Sequence, residues 1–163
     1  MIKIAFAVDT SKIDRSMADF PAMVAEVQSR VLAYVGQTVA SRATQAFRTP
    51  SFRPSPWAPR KPVYTVTVNK KTKKKTRKLD DHPLLIRSGA LRQSVFWKFS
   101  GDDAVVVGSD RKYAAYHQHG TKRMPARPFV PVDAQGRLVP AVHDKISRGV
   151  ARIVNDEMRR LKS

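Results

Sequence analysis

Cysteine is absent from the 163 residues, which removes disulfide frameworks, thiolate metal sites and cysteine nucleophiles together and fits assembly in a reducing compartment. Long apolar runs are also missing. The run at residues 4–8 stops at Asp9, well short of a signal-peptide core or a membrane span, and no other stretch is long enough. The expectation is a soluble chain made in the cytosol, with no membrane partner. The seven glycines form neither of the phosphate-cradling patterns of nucleotide-binding loops, so nucleotide hydrolysis has no support. Acid is scarce: 13 Asp and Glu face 31 Lys and Arg, a formal charge of +18. Apolar residues are not scarce, at 42%, and one domain with a true hydrophobic core fits this length.

The charge imbalance is local. No acid lies between Val27 and Leu79, while that stretch holds thirteen cations, ten of them at or after Arg53. The densest part is Asn69-Lys70-Lys71-Thr72-Lys73-Lys74-Lys75-Thr76-Arg77-Lys78, whose like charges repel, and it follows a strand-prone run at residues 63–68. Together they predict a mobile basic hairpin arm. Phosphate binding by such an arm would be nonspecific and salt dependent, and Tyr64 and Trp57 could stack on bases. A solvated or protein-docking arm stands beside that reading, with nucleic acid and an acidic protein as the two candidate partners.

Elsewhere the periodicities are regular. Alternation at residues 2–8 predicts a strand. Phe20, Met23, Val24, Val27, Val31, Tyr34, Val35, Thr38 and Phe47 repeat at helical spacing and predict a long amphipathic helix over residues 20–47, with Asp19 as its N-cap and Pro21 in its first turn. Prolines at 50, 54, 56, 59 and 62 exclude helix there. Ser88 is a candidate N-cap for a short helix over 89–93. Residues 95–99 and 104–107 form a predicted hairpin around Ser100-Gly101-Asp102-Asp103. Residues 113–117 suggest a short helix, prolines at 125, 128 and 131 an extended connector, and Val142, Ile146, Val150, Ile153, Val154, Met158 and Leu161 a second amphipathic helix from Pro140. The fold class is therefore α+β: a small antiparallel sheet packed by a long N-terminal helix and a C-terminal helix, with an extended basic hairpin arm.

Catalytic chemistry is poorly supplied. Asp80-Asp81, Asp102-Asp103 and Asp156-Glu157 are adjacent pairs whose side chains diverge, unlike a positioned acid and base, so no catalytic residue, cofactor or enzyme activity is expected. His117-Gln118-His119 would place both rings on one face of a strand, as a metal site can require, but a third ligand is missing and neither His82 nor His143 is tied to the pair by spacing. Packing or subunit contact is the expectation ahead of metal.

Several short motifs occur in order: Trp57-Ala58-Pro59; Pro83-Leu84-Leu85-Ile86-Arg87-Ser88-Gly89-Ala90-Leu91-Arg92-Gln93-Ser94; Val106-Val107-Gly108-Ser109; Tyr113-Ala114-Ala115-Tyr116-His117-Gln118-His119-Gly120; and Pro125-Ala126-Arg127-Pro128-Phe129. This order, over roughly residues 20–160, resembles the tailed-phage virion morphogenesis family, which includes the tail-completion proteins of Mu-like and P2-like phages. The resemblance implies one domain over 1–163, with the proline-rich then lysine-rich stretch 50–80 inserted in it. It implies a structural subunit of a ring, a hexamer, at the head-proximal end of the tail, meeting the tail tube protein and head-tail connector proteins and completing the tail for head joining. The station implied is the virion's head-tail junction, after assembly in the host cytoplasm. The lysine-rich segment is longer and more charged than the family pattern.

Within that picture Arg87, Ser88, Gly89, Arg92, Tyr113, Tyr116, His117, Gly120, Arg127 and Phe129 are candidate subunit-interface residues. The arginines offer planar forks, the aromatics apolar area with polar edges, and Gly89 and Gly120 positive φ at tight junctions. The competing reading is that Tyr113 and Phe129 fill the core and the glycines only shape turns. Lys70, Lys71, Lys73, Lys74, Lys75, Arg77 and Lys78 are the candidate DNA or partner contacts.

Overall fold

A computed structural model describes residues 20–49, 52, 56–59, 61–79, 84–133 and 135–160. The elements run α1 Phe20–Gln45, β1 Tyr64–Val68, β2 Lys75–Leu79, α2 Ala90–Gln93, β3 Val95–Phe99, β4 Val105–Ser109, α3 Ala114–His119 and α4 Pro140–Arg160. The strands make two separate antiparallel pairs, β1 with β2 and β3 with β4, in an α+β fold packed by the N-terminal and C-terminal helices. The predicted strand at residues 2–8 and the Asp19 cap lie outside the described residues.

The core is built on α1. Val31, Val35 and Val39 recur every four residues, Leu32, Ala43, Ala46 and Phe47 widen the stripe, and all are buried. That stripe is covered by α4, β3 and β4, which supplies the tertiary packing a helix of this kind needs. Val142, Ile146 and Gly149 are the buried positions of α4, spaced to put one face of that helix on α1. At the crossing, Tyr34 lies against Gly149 so closely that any Cβ there would overlap its ring. Arg30 on α1 also pairs with Glu157 on α4. Basic residues occupy the last turn of both helices, Arg42 in α1 and Arg159 and Arg160 in α4, where they complement the negative end of the helix dipole.

β4 is buried at all five residues, whereas β3 is half-buried at Val95, Phe96 and Trp97 and exposed at Lys98 and Phe99. Their register pairs Trp97 with Val107 and Phe99 with Val105, so the larger side chains of β3 stand beside the valines that enter the core. The β1–β2 pair has the opposite character. Both of its strands are exposed along their whole length.

Candidate functional site

The motif residues converge on one joint between α3, the connector after it and the proline-rich segment. α3 turns Ala114 and Gln118 inward, one helical turn apart, and both are buried. The Gln118 amide then works as a clamp. Its Oε1 accepts from the backbone N–H groups of Phe129 and Val130, each at 3.0 Å, and its Nε2 donates to the Val130 carbonyl at 3.0 Å. An extended connector rich in proline cannot satisfy its own backbone, so a buried side-chain amide replaces the missing strand partner.

Other bonds close the joint. The Arg127 N–H donates to the His117 carbonyl at 2.6 Å, and the Trp57 indole N–H donates to the Pro128 carbonyl at 3.0 Å. The Arg127 guanidinium, itself buried, reaches the Ala58 carbonyl at 3.3 and 3.4 Å. Phe129 is fully buried; its ring centroid lies 5.3 Å from that of Phe47, which meets Trp57 edge-on at 5.9 Å. Gly120 ends α3 at φ +75, and a Cβ there would stand 2.7 Å from the Ala126 amide nitrogen and 3.0 Å from the Met124 carbonyl oxygen. Only glycine lets the chain fold back so tightly.

These positions separate the candidate interface residues into two sets. Phe129 takes the core alternative, and the Arg127 fork is engaged within its own chain. Tyr113 and Tyr116 are exposed on the outer side of α3, with Tyr113 edge-on to His117 at 5.8 Å. His117 is half-buried and its Nδ1 is buried without a hydrogen-bond partner among the described residues; burial first, then the Arg127 charge, holds its pKa below the ordinary imidazole value. His117 and His119 stand on a helix instead of a strand, so their rings are about 200° apart around the axis and do not share a face. Gln118, between them, is the residue that sequence reasoning passed over. Its signal was the four-residue spacing from Ala114 toward the core, masked by the conspicuous histidines.

Arg87 and Ser88 are exposed, Gly89 is buried at φ +71, and Arg92 is half-buried. Gly89, not Ser88, is the N-cap of α2 and no side chain caps the helix; the Ser88 hydroxyl instead accepts from the Ala90 N–H at 3.4 Å. A non-helical cap must precede the first turn, and the left-handed backbone at Gly89 does so without a side chain. Arg92 and Arg48 share a polar cleft of roughly 690 Å³ with Ser41, Thr44, Gln45 and Gln93. At the end of the second motif Ser94 meets Ser109, hydroxyl to hydroxyl, at 2.6 Å, tying α2 to β4.

In the β1–β2 hairpin Asn69 organises the turn. Its Oδ1 accepts from the N–H groups of Lys71 at 2.9 Å and Thr72 at 3.1 Å, and its backbone bonds Lys73 and Lys74. Lys70, Lys71, Lys73 and Lys74 thus sit at the turn. The register pairs Tyr64 with Leu79, Val66 with Arg77 and Val68 with Lys75, and Thr65 with Lys78. Side chains alternate along a strand, so Lys75 and Arg77 share a face with Tyr64, Val66, Val68 and Leu79, while Lys78 stands on the threonine face.

No curated protein and no solved structure matches the chain. A model of the phage virion morphogenesis family matches residues 8–148, a span that includes α1, both hairpins, the clamped joint and the first part of α4. The chain belongs to the phage virion morphogenesis family, and its role is a structural one in building the phage particle.

Proposed function

We propose that the protein is a non-enzymatic ring subunit at the head-tail junction, where it completes or terminates the tail and permits head joining. The family match over residues 8–148 carries the reading. The described residues support it by what they spend their chemistry on: the motif side chains hold a rigid joint and leave Tyr113 and Tyr116 outward on α3. A ring of identical subunits needs heterologous contacts, one face meeting a different face of the next copy. The implied partners are further copies, six by the symmetry of the tail, with the tail tube protein on one side and connector proteins on the other. Mass measurement of the purified full chain, alone and with tail tube protein, tests this. A multiple of the 18.3 kDa subunit is the expected result; a monomer under both conditions, absent from virions, overturns it.

The hairpin cations favour a second reading, a free nucleic-acid-binding accessory protein. Deleting residues 69–78 separates the two. Lost nucleic-acid affinity with normal particle assembly supports the accessory role, whereas failed assembly supports the structural one.

A further inference from the structure

The β1–β2 hairpin is not a uniformly polar ribbon. Tyr64, Val66, Val68 and Leu79 are 55%, 50%, 46% and 50% exposed, and their register puts them on one face with Lys75 and Arg77. A lone two-stranded hairpin is marginal in water, and a contiguous apolar row on one face calls for a cover. Phosphate would engage the cations but would gain nothing from two valines and a leucine. The face fits a surface that is apolar at its floor and acidic at its edge.

The same chain carries such a surface. Between α1 and the β3–β4 turn lies a groove of roughly 330 Å³ lined by Ala25, Gln28, Ser29, Leu32, Phe99, Gly101 and Asp102. Phe99 is 46% exposed there, and the Gln28 amide donates to the Asp102 carbonyl at 3.0 Å, which holds the turn against the helix. Asp103 and Glu26 are the next acids along the turn and the helix, and both are exposed. Asp110, Asp133, Asp144 and Glu157 each have a basic partner. Glu26, Asp102, Asp103 and Asp156 have none among the described residues, in a protein of charge +18, and the first three lie at or beside this groove.

We propose that the apolar-basic face of one copy's hairpin docks in the α1–β3 groove of the next copy, with Val66, Val68 and Leu79 toward Phe99 and with Arg77 and Lys75 toward Asp102 and Asp103. The contact is head to tail, and its repetition closes a ring or extends a chain of subunits. It rests on the ring reading above and names the surfaces that would make the ring.

Two full-length variants test it: one with the hairpin charges reversed, Lys75→Asp with Arg77→Asp, and one with the groove charges reversed, Asp102→Lys with Asp103→Lys. All four positions are exposed, so thermal melts should match the parent and serve as the folding control. Each variant should need at least roughly tenfold more protein to assemble than the parent. Mixed in equal amounts, the intact hairpin of one variant meets the intact groove of the other and the reversed hairpin meets the reversed groove, so the mixture should regain assembly with the two variants alternating. The protein with all four reversals should regain the parent's assembly. If the parent forms rings and the hairpin variant forms them equally well, this docking is overturned while the ring reading survives; a parent that stays monomeric removes the ring reading itself. Unchanged rings with weakened binding to duplex DNA would assign the hairpin to nucleic acid and also overturn the proposal.

Discussion

The clamped joint and the β1–β2 hairpin differ in how their residues are used. At the joint, Gln118, Trp57 and Arg127 each bond a backbone carbonyl distant in sequence, and Phe129 closes the core beneath them. In the hairpin the described side chains are exposed on both faces, and order comes from the ladder and the Asn69 turn. The first region contributes to stability and geometry. The second, which holds seven cations and no acid, contributes surface. The motifs that carry the family resemblance are largely internal fastenings, whereas the compositional outlier is an exposed ribbon.

Substitutions can break this contrast. Phe129→Ala should cost the most, about 3–5 kcal/mol from lost burial and the cavity left against Phe47, measured as a shift in the urea midpoint. A loss below about 1 kcal/mol would remove Phe129 from the core account. Gln118→Leu keeps the volume but strands the Phe129 and Val130 N–H groups, and about 2–4 kcal/mol should follow; a neutral result would mean the connector does not depend on the clamp.

A smaller effect belongs to His117. Its folded pKa lies below the ordinary 6.5, so the unfolded chain binds the proton more readily, and this contribution to stability is complete above about 6.5 and lost as pH falls through the window beneath it. Denaturation at pH 7 and at pH 5.5 should show that loss, and His117→Gln should remove the part due to this ring. At the bottom of the scale, Val66→Asp in the hairpin should move stability by no more than about 0.5 kcal/mol while impairing assembly. A large stability loss there would make the hairpin part of the folded body and erase the contrast.

Periodicity made the helices legible. The stripe from Val31 to Phe47 and the one from Val142 to Ile153 each mark a face that must be covered, and α1 and α4 appear within a few residues of the expected limits. The turn chemistry of Ser100-Gly101-Asp102-Asp103 likewise marks the β3–β4 hairpin. What local pattern does not encode is which elements pack on which, here α4, β3 and β4 on α1. The site was less legible for the same reason. Arg127 and Phe129 look alike as interface candidates until the fold brings Ala58 and Phe47 beside them, 69 residues away in one case. Gln118 gives little sign in sequence, because a buried amide is specified by the backbone groups it meets, and those lie eleven and twelve residues on.

Electron cryo-microscopy of phage particles built with and without this chain tests the proposed junction role most directly. The account predicts a closed ring of its copies at the head-proximal end of the tail, and unjoined heads and tails when the chain is missing. Complete, joined particles that lack density for it would contradict the account.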